Sequence, residues 1–241
     1  MKIPGELTPL SRYQREALAF LASYNYLLSA EILSQSEPSS PFASIHNLFA
    51  SKIPDLYGDP ATYVRSCLFI SYIASFEAFL QDTAALVLKR YPKKIGSANF
   101  TLAELIDAND PSTLIERAIK DSLDKIMYKK PLEYFPQLCQ FLSIESEPLK
   151  EDWKVFVEAK ARRDLGVHSA WRCNALYLSK TREAKIETSA CVGDTMLPSS
   201  SEYLNTLEHK LSNLAFNLTS SVAKVHWPHI VPFLEDANEL E

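Results

Sequence analysis

The stretch "SCLFISYIASFEAFLQDTAALVLKRYP", residues 66 to 92, decides the fold class. Phe69, Tyr72, Ile73, Phe76, Leu80, Thr83 and Val87 recur at spacings of three and four, which places them on one stripe of a helix turning about 100° per residue. The alternation of a half-buried strand is missing. Asp59-Pro60 supplies a start and Pro92 a stop, so the spacing predicts a helix over 59–91. Glu77 lies on the flank of the stripe, in line with Ile73 and Ala84, and its carboxylate is expected to point toward a packed neighbour.

The same period recurs on both sides of this helix. Tyr13, Ala17, Phe20, Tyr24 and Leu27 predict a helix within 10–35, ended by the Pro- and Ser-rich loop at 36 to 41. Between 101 and 142, "TLAELIDA", "STLIERAIKDSLDKIMY" and "YFPQLCQFL" read as shorter helices broken by prolines, with Thr101 and Ser112 as caps. Residues 149 to 171 follow Pro148 as a further helix whose Trp153, Val157, Ala161, His168 and Trp171 share one broad packing arc. From 173 to 197 the helical period is lost, and "NALYLS" and "AKIETS" read as short strands or extended arms joined by a turn. Leu204, Leu207, Leu211, Leu214, Leu218, Val222 and Val225 then trace a long closing helix up to Trp227-Pro228. The expected architecture is all-α, one domain over residues 1–241, a helical bundle with a short irregular or β-hairpin excursion before the last helix.

Composition narrows the function. With 46% hydrophobic and 23% charged residues over 241 positions, the chain is ordinary globular material. Only 5 glycines are present and none forms a phosphate-cradling loop, which excludes the dinucleotide and P-loop motifs. Four scattered cysteines, Cys67, Cys139, Cys173 and Cys191, have neither zinc nor disulfide spacing and read as small hydrophobes. The apolar run is expected to be interrupted by Ser and Glu77 before it reaches membrane-spanning length, and the amino terminus has no signal pattern, so a cytoplasmic protein without a membrane partner is expected. A net charge of −5 confines any nucleic-acid contact to local basic patches, "KRYPKK" at 89 to 94 and the set Lys150, Lys154, Lys160, Arg162, Arg163 and Arg172.

That second patch contains "RRDLGVHSAW", residues 162 to 171, where ionisable chemistry is unusually dense for a helix facing a core. Asp164 and His168 are four apart, so on a continuous helix the carboxylate could orient the imidazole. An imidazole titrating near pH ~6.5 can work as base or acid near neutrality. Arg163 and His168, five apart, diverge by roughly 140° on an ideal helix. They converge on one atom only if the helix distorts or ends near Gly166, or if a second copy completes the pocket across a two-fold axis. A forked guanidinium beside a titratable histidine, with no metal ligands nearby, suits attack by the 2′-hydroxyl of RNA on its own phosphate; the plainer reading is a surface ion-pair network at a helix end. "HWPH", with His226 and His229, offers a metal-dependent alternative, against which stand the intervening proline and the lack of neighbouring carboxylates.

"RRDLGVHS" resembles the R-x4-6-H signature of the HEPN superfamily, with Arg163, Asp164 and His168 in the motif positions. The stretch "SYIASFEAFLQDTAALVLKRYP" looks like the family's early helix with an embedded Glu, and "VHSAWRCNALYLSK" through "SSSEYLNTLEHKLSNLA" is similar to one bacterial branch, so the resemblance spans roughly residues 60 to 227. It implies a helical bundle that forms a homodimer, with two motifs making a composite, metal-independent ribonuclease site that needs no cofactor. Arg163 and His168 carry over as catalytic, and Asp164 occupies the polar position after the arginine, where Asn is more usual. Arg162, Lys160, Ser169 and Glu77 follow as supporting residues: the two cations for phosphate, Ser169 for hydrogen bonding, Glu77 for positioning the arginine. Family toxins modified by nucleotide addition carry a tyrosine two residues after the histidine; position 170 is Ala, and Tyr177 lies farther along. By analogy the resemblance implies a toxin or phage-defence effector acting on RNA, with an antitoxin or sensor protein as partner. The competing reading is a nuclease-dead HEPN module that binds a nucleotide, RNA or a partner protein.

Overall fold

The computed structural model describes residues 4–36, 47, 48, 50–108 and 110–238. It is all-α, as the spacing predicts. Its helices are α1 (Thr8–Ser36), α2 (Pro60–Arg90), α3 (Leu102–Asp107), α4 (Pro111–Met127), α5 (Pro131–Leu142), α6 (Lys150–His168), α7 (Ala175–Glu183), α8 (Ser201–His226) and α9 (Val231–Asn238). Among the described residues there is no strand, only an isolated antiparallel bridge between Arg172 and Thr195. "NALYLS" is therefore not extended: it opens α7, because Asn174 accepts the Tyr177 N–H at 2.9 Å and starts a helix that the missing apolar period concealed. Residues 36 to 41 were expected to form a loop; α1 includes Ser36, and 37–41 lie outside the described residues, as do the side chains of Tyr24 and Leu27.

Helix α2 carries the stripe read from the sequence, and all seven of its members are buried. Asp59 caps it, its two carboxylate oxygens accepting the Thr62 N–H and hydroxyl at 2.7 Å each, with Pro60 at the first helical position. The most apolar 18 residues of α2 have a mean hydropathy of 1.2, long and apolar enough to cross a membrane. The expected interruption by Ser and Glu77 does not occur, because isolated polar residues lower an 18-residue average too little. Core helices have the same composition; here Phe69, Ile73, Phe76 and Leu80 are packed inside protein with no exposure.

The chain forms two compact units. The first comprises residues 1–12, 77–153 and 213–241. Its core includes Trp153, which stacks on Phe135 at 4.2 Å, meets Tyr134 edge-on at 5.7 Å and donates its indole N–H to the Pro131 carbonyl at 3.2 Å. Thr101 caps α3 in a reciprocal box with Glu104. The cap of α4 is Asp110, not Ser112: Pro111 takes the first helical position and Asp110 accepts the Thr113 N–H at 3.0 Å. Helix α5 runs through Pro136, so that proline does not break it.

The second unit comprises residues 13–76 and 154–212. Tyr13 and Tyr72 share a hydroxyl–hydroxyl hydrogen bond at 2.5 Å, Phe20 stacks on Tyr72 at 4.7 Å, and Phe76 packs on Phe156 at 4.9 Å. Burial raises both phenols above the ordinary tyrosine value, so this pair stays protonated. The leucine stripe of α8, residues of which belong to both units, is buried from Leu204 to Val222, whereas Val225 is half-exposed. Cys139 and Cys173 are buried as expected of small hydrophobes; Cys67 and Cys191 are exposed. Burial pushes the Cys139 thiol up to about 12.

Candidate functional site

The motif helix ends earlier than its pattern predicts. α6 stops at His168, and the Ser169 and Trp171 N–H groups both donate to the Leu165 carbonyl, at 2.8 and 3.0 Å. Ala170 and Trp171 take left-handed φ values of 46° and 59°, a conformation in which non-glycine residues are strained. The compensation is Trp171, which is fully buried, packs on Phe69 at 5.9 Å and donates its indole N–H to Tyr57 at 3.3 Å. Its ring doubles back over Gly166, where an added Cβ would meet ring carbons at 2.5 Å. Gly166 thus serves close approach rather than helix breaking. Trp171 reaches the core through this turn, so His168 is released from the expected packing arc and is exposed.

His168 stands at a pocket of about 340 Å³ between the end of α6 and the start of α7. Asp164, Ser169, Asn174, Tyr177 and Lys180 line it with His168, over an apolar wall of Ala161, Leu165 and Leu176. Asp164 does not orient His168. One carboxylate oxygen accepts from Lys180 Nζ at 2.9 Å and the other faces an Arg163 guanidinium nitrogen at 3.2 Å. Asn174 donates to the Ser169 hydroxyl oxygen at 3.1 Å. Arg163 is not among the lining residues, so the divergence expected from a five-residue offset holds within the single chain.

Arg162, one residue away, faces different work. Its Nε donates to Glu158 at 2.8 Å, and its guanidinium lies 4.3 Å from the centre of the Tyr203 ring. The Tyr177 and Tyr203 hydroxyls donate to the two oxygens of the same carboxylate, at 2.8 and 2.7 Å. Burial, then the Glu158 charge, raises both phenols, which keeps them protonated as donors. Arg162 is therefore committed to a structural cluster and does not present itself to phosphate. Lys160 is half-buried on α6, and Glu77 is a half-buried residue of the first unit, while Arg163 belongs to the second.

Lys180, Asn174 and Glu158 are missing from the sequence reading of the site. Asn174 is hidden by the reading of "NALYLS" as extended, although Asn ahead of a helix-forming run is a cap signature, and Lys180 lies just beyond that stretch, in the segment without a helical period. The "HWPH" pair divides: His226 is buried and donates Nε2–H to the Leu142 carbonyl at 2.7 Å, and His229 lies 3.8 Å from the Glu6 carboxylate. Among the described residues no group of three His, Cys, Asp or Glu side chains could hold a metal ion. Comparison with family models, with curated proteins and with solved structures finds no match.

Proposed function

We propose that the chain is a metal-independent endoribonuclease of the HEPN type, acting as a homodimer. In this reading His168 accepts the proton of a ribose 2′-hydroxyl, the 2′-oxygen attacks the adjacent phosphorus, and the P–O5′ bond breaks. The departing 5′-oxygen takes that proton back from the protonated His168, leaving a 2′,3′-cyclic phosphate, a 5′-hydroxyl and a neutral imidazole. Arg163, which diverges from His168 on its own helix, comes from the second copy and stabilises the charge that builds on the phosphate oxygens. The observation that carries the reading is the release of His168 from the core to the mouth of a pocket whose other charged members are Lys180 and Asp164. RNA is the substrate, and a toxin or phage-defence role with an antitoxin or sensor partner fits such an activity.

The test is cleavage of a mixed-sequence RNA in excess chelator. His168→Ala is expected to slow it by about 10²–10⁴-fold, the usual contribution of a general acid–base group. Equal rates for parent and variant of equal stability refute the assignment. One observation favours the second reading, a binding module without catalysis: Asp164 engages Arg163 at 3.2 Å and thereby offsets the charge a phosphate would need. RNA or nucleotide binding without any cleavage distinguishes it.

A further inference from the structure

We propose that Lys180, with Ser169 and Asn174, forms a phosphate-binding subsite for single-stranded RNA that is complete within one protomer. The inference rests on the RNA reading above and assigns the ground-state phosphate contact to α7, leaving Arg163 of a second copy for the developing charge. The argument is an inventory of donors. Lys180 presents three N–H groups and uses one on Asp164 at 2.9 Å. The Ser169 oxygen accepts from Asn174, and among the described residues its own hydroxyl proton has no acceptor. Asn174 gives its carbonyl oxygen to the Tyr177 N–H and one amide proton to Ser169, which leaves a second amide proton.

Facing these donors is a single carboxylate, Asp164, already held between Lys180 and Arg163. The pocket therefore has hydrogen-bond donors in excess, and the complementary ligand is an acceptor-only group. A phosphodiester is such a group, and it would lie beside the exposed His168. The apolar wall of Leu165, Leu176 and Ala161 then receives the adjoining sugar and base. At about 340 Å³ the pocket is near the lower end of ligand sites, which run roughly 300–1,000 Å³, and it admits one nucleotide rather than a duplex.

The experiment uses the full chain and a fluorescent single-stranded RNA oligonucleotide. Binding is measured on a His168→Ala background, so that the RNA stays intact, across a series of salt concentrations. Adding Lys180→Met should weaken binding about tenfold, as loss of one charge-assisted contact does, and lower the slope of log K against log salt by about 0.7. Lys180→Arg should restore both. A merely structural lysine would not move the salt slope. Where Lys180→Met lowers the melting temperature by taking from the Asp164 carboxylate one of its two cations, Lys180→Met with Asp164→Asn removes that charge and repeats the test. An unchanged salt slope in whichever Lys180→Met protein folds overturns the subsite. If the slope falls while the parent cuts no RNA, the subsite stands and the nuclease reading fails; if the parent cuts RNA and the slope is unchanged, the reverse holds.

Discussion

Helices α6 and α8 both end on a histidine followed closely by tryptophan, and the two ends have opposite chemistry. At the end of α8, His226 and Trp227 are adjacent and both buried. His226 donates to the Leu142 carbonyl, and Tyr91 lies 5.1 Å from its ring. Burial, with Lys94 and Arg90 nearby, lowers its pKa against the opposing pull of the Leu142 bond. At the end of α6, two residues separate His168 from Trp171, and the left-handed turn there carries the indole into the core while leaving the imidazole outside. Both tryptophans are buried, so the turn that leads to each one decides whether the terminal histidine is buried as a donor or left exposed.

The difference can be tested by exchanging the roles of the two ends. The largest effect is expected on rate: His168→Ala removes about 10²–10⁴-fold of RNA cleavage with little change in melting temperature. His226→Ala should do the opposite, keeping cleavage while denaturant titration shows a loss of about 1–3 kcal/mol, because the Leu142 carbonyl loses its buried partner. Within the motif a similar division separates neighbouring arginines. Arg162→Ala should destabilise by about 3 kcal/mol, since Glu158 loses its countercharge at a site where both side chains are less than a fifth exposed. Gly166→Ala should cost about 1–3 kcal/mol by forcing a methyl group against the Trp171 ring, measured by the same titration.

The smallest effect is a pH dependence confined to the α8 end. His226 has its folded pKa held below the unfolded value near 6.5, so below that pH the unfolded chain takes up the proton first. Its contribution is present above pH 6.5 and is lost as pH falls through the folded value. His226→Gln keeps an N–H for the Leu142 carbonyl but cannot titrate, so its stability should fall less between about pH 7 and 5 than that of the parent. A parent and variant with parallel profiles would contradict the assignment of His226 as the buried titrating group.

Much of the helical framework was legible because packing repeats with a period that residue order displays. The stripe of α2 is buried at every expected position, and that of α8 at every position but Val225. Thr101 and Asp59 were readable as starts because caps need particular side chains at fixed offsets. Ser112 misled because Asp110 offers a better acceptor with Pro111 behind it. α7 was missed because "ALYLSKTRE" buries only Tyr177 and Thr181, too few apolar contacts to print a period.

At the site, residue order alone predicted that Arg163 and His168 diverge by roughly 140° on an undistorted helix, and it left open a distortion or helix end near Gly166. It also displayed the density of ionisable groups in the 162 to 168 stretch. Only the folded chain decided which of them are available. Arg162 turned to Glu158 and Tyr203, Asp164 to Lys180 and Arg163, and His168 was released when Trp171 closed over Gly166. The physical reason is range: helical direction is set by neighbours a few residues away, while burial and charge pairing are set by groups such as Lys180 and Tyr203 that the chain brings back from 16 and 45 residues farther along.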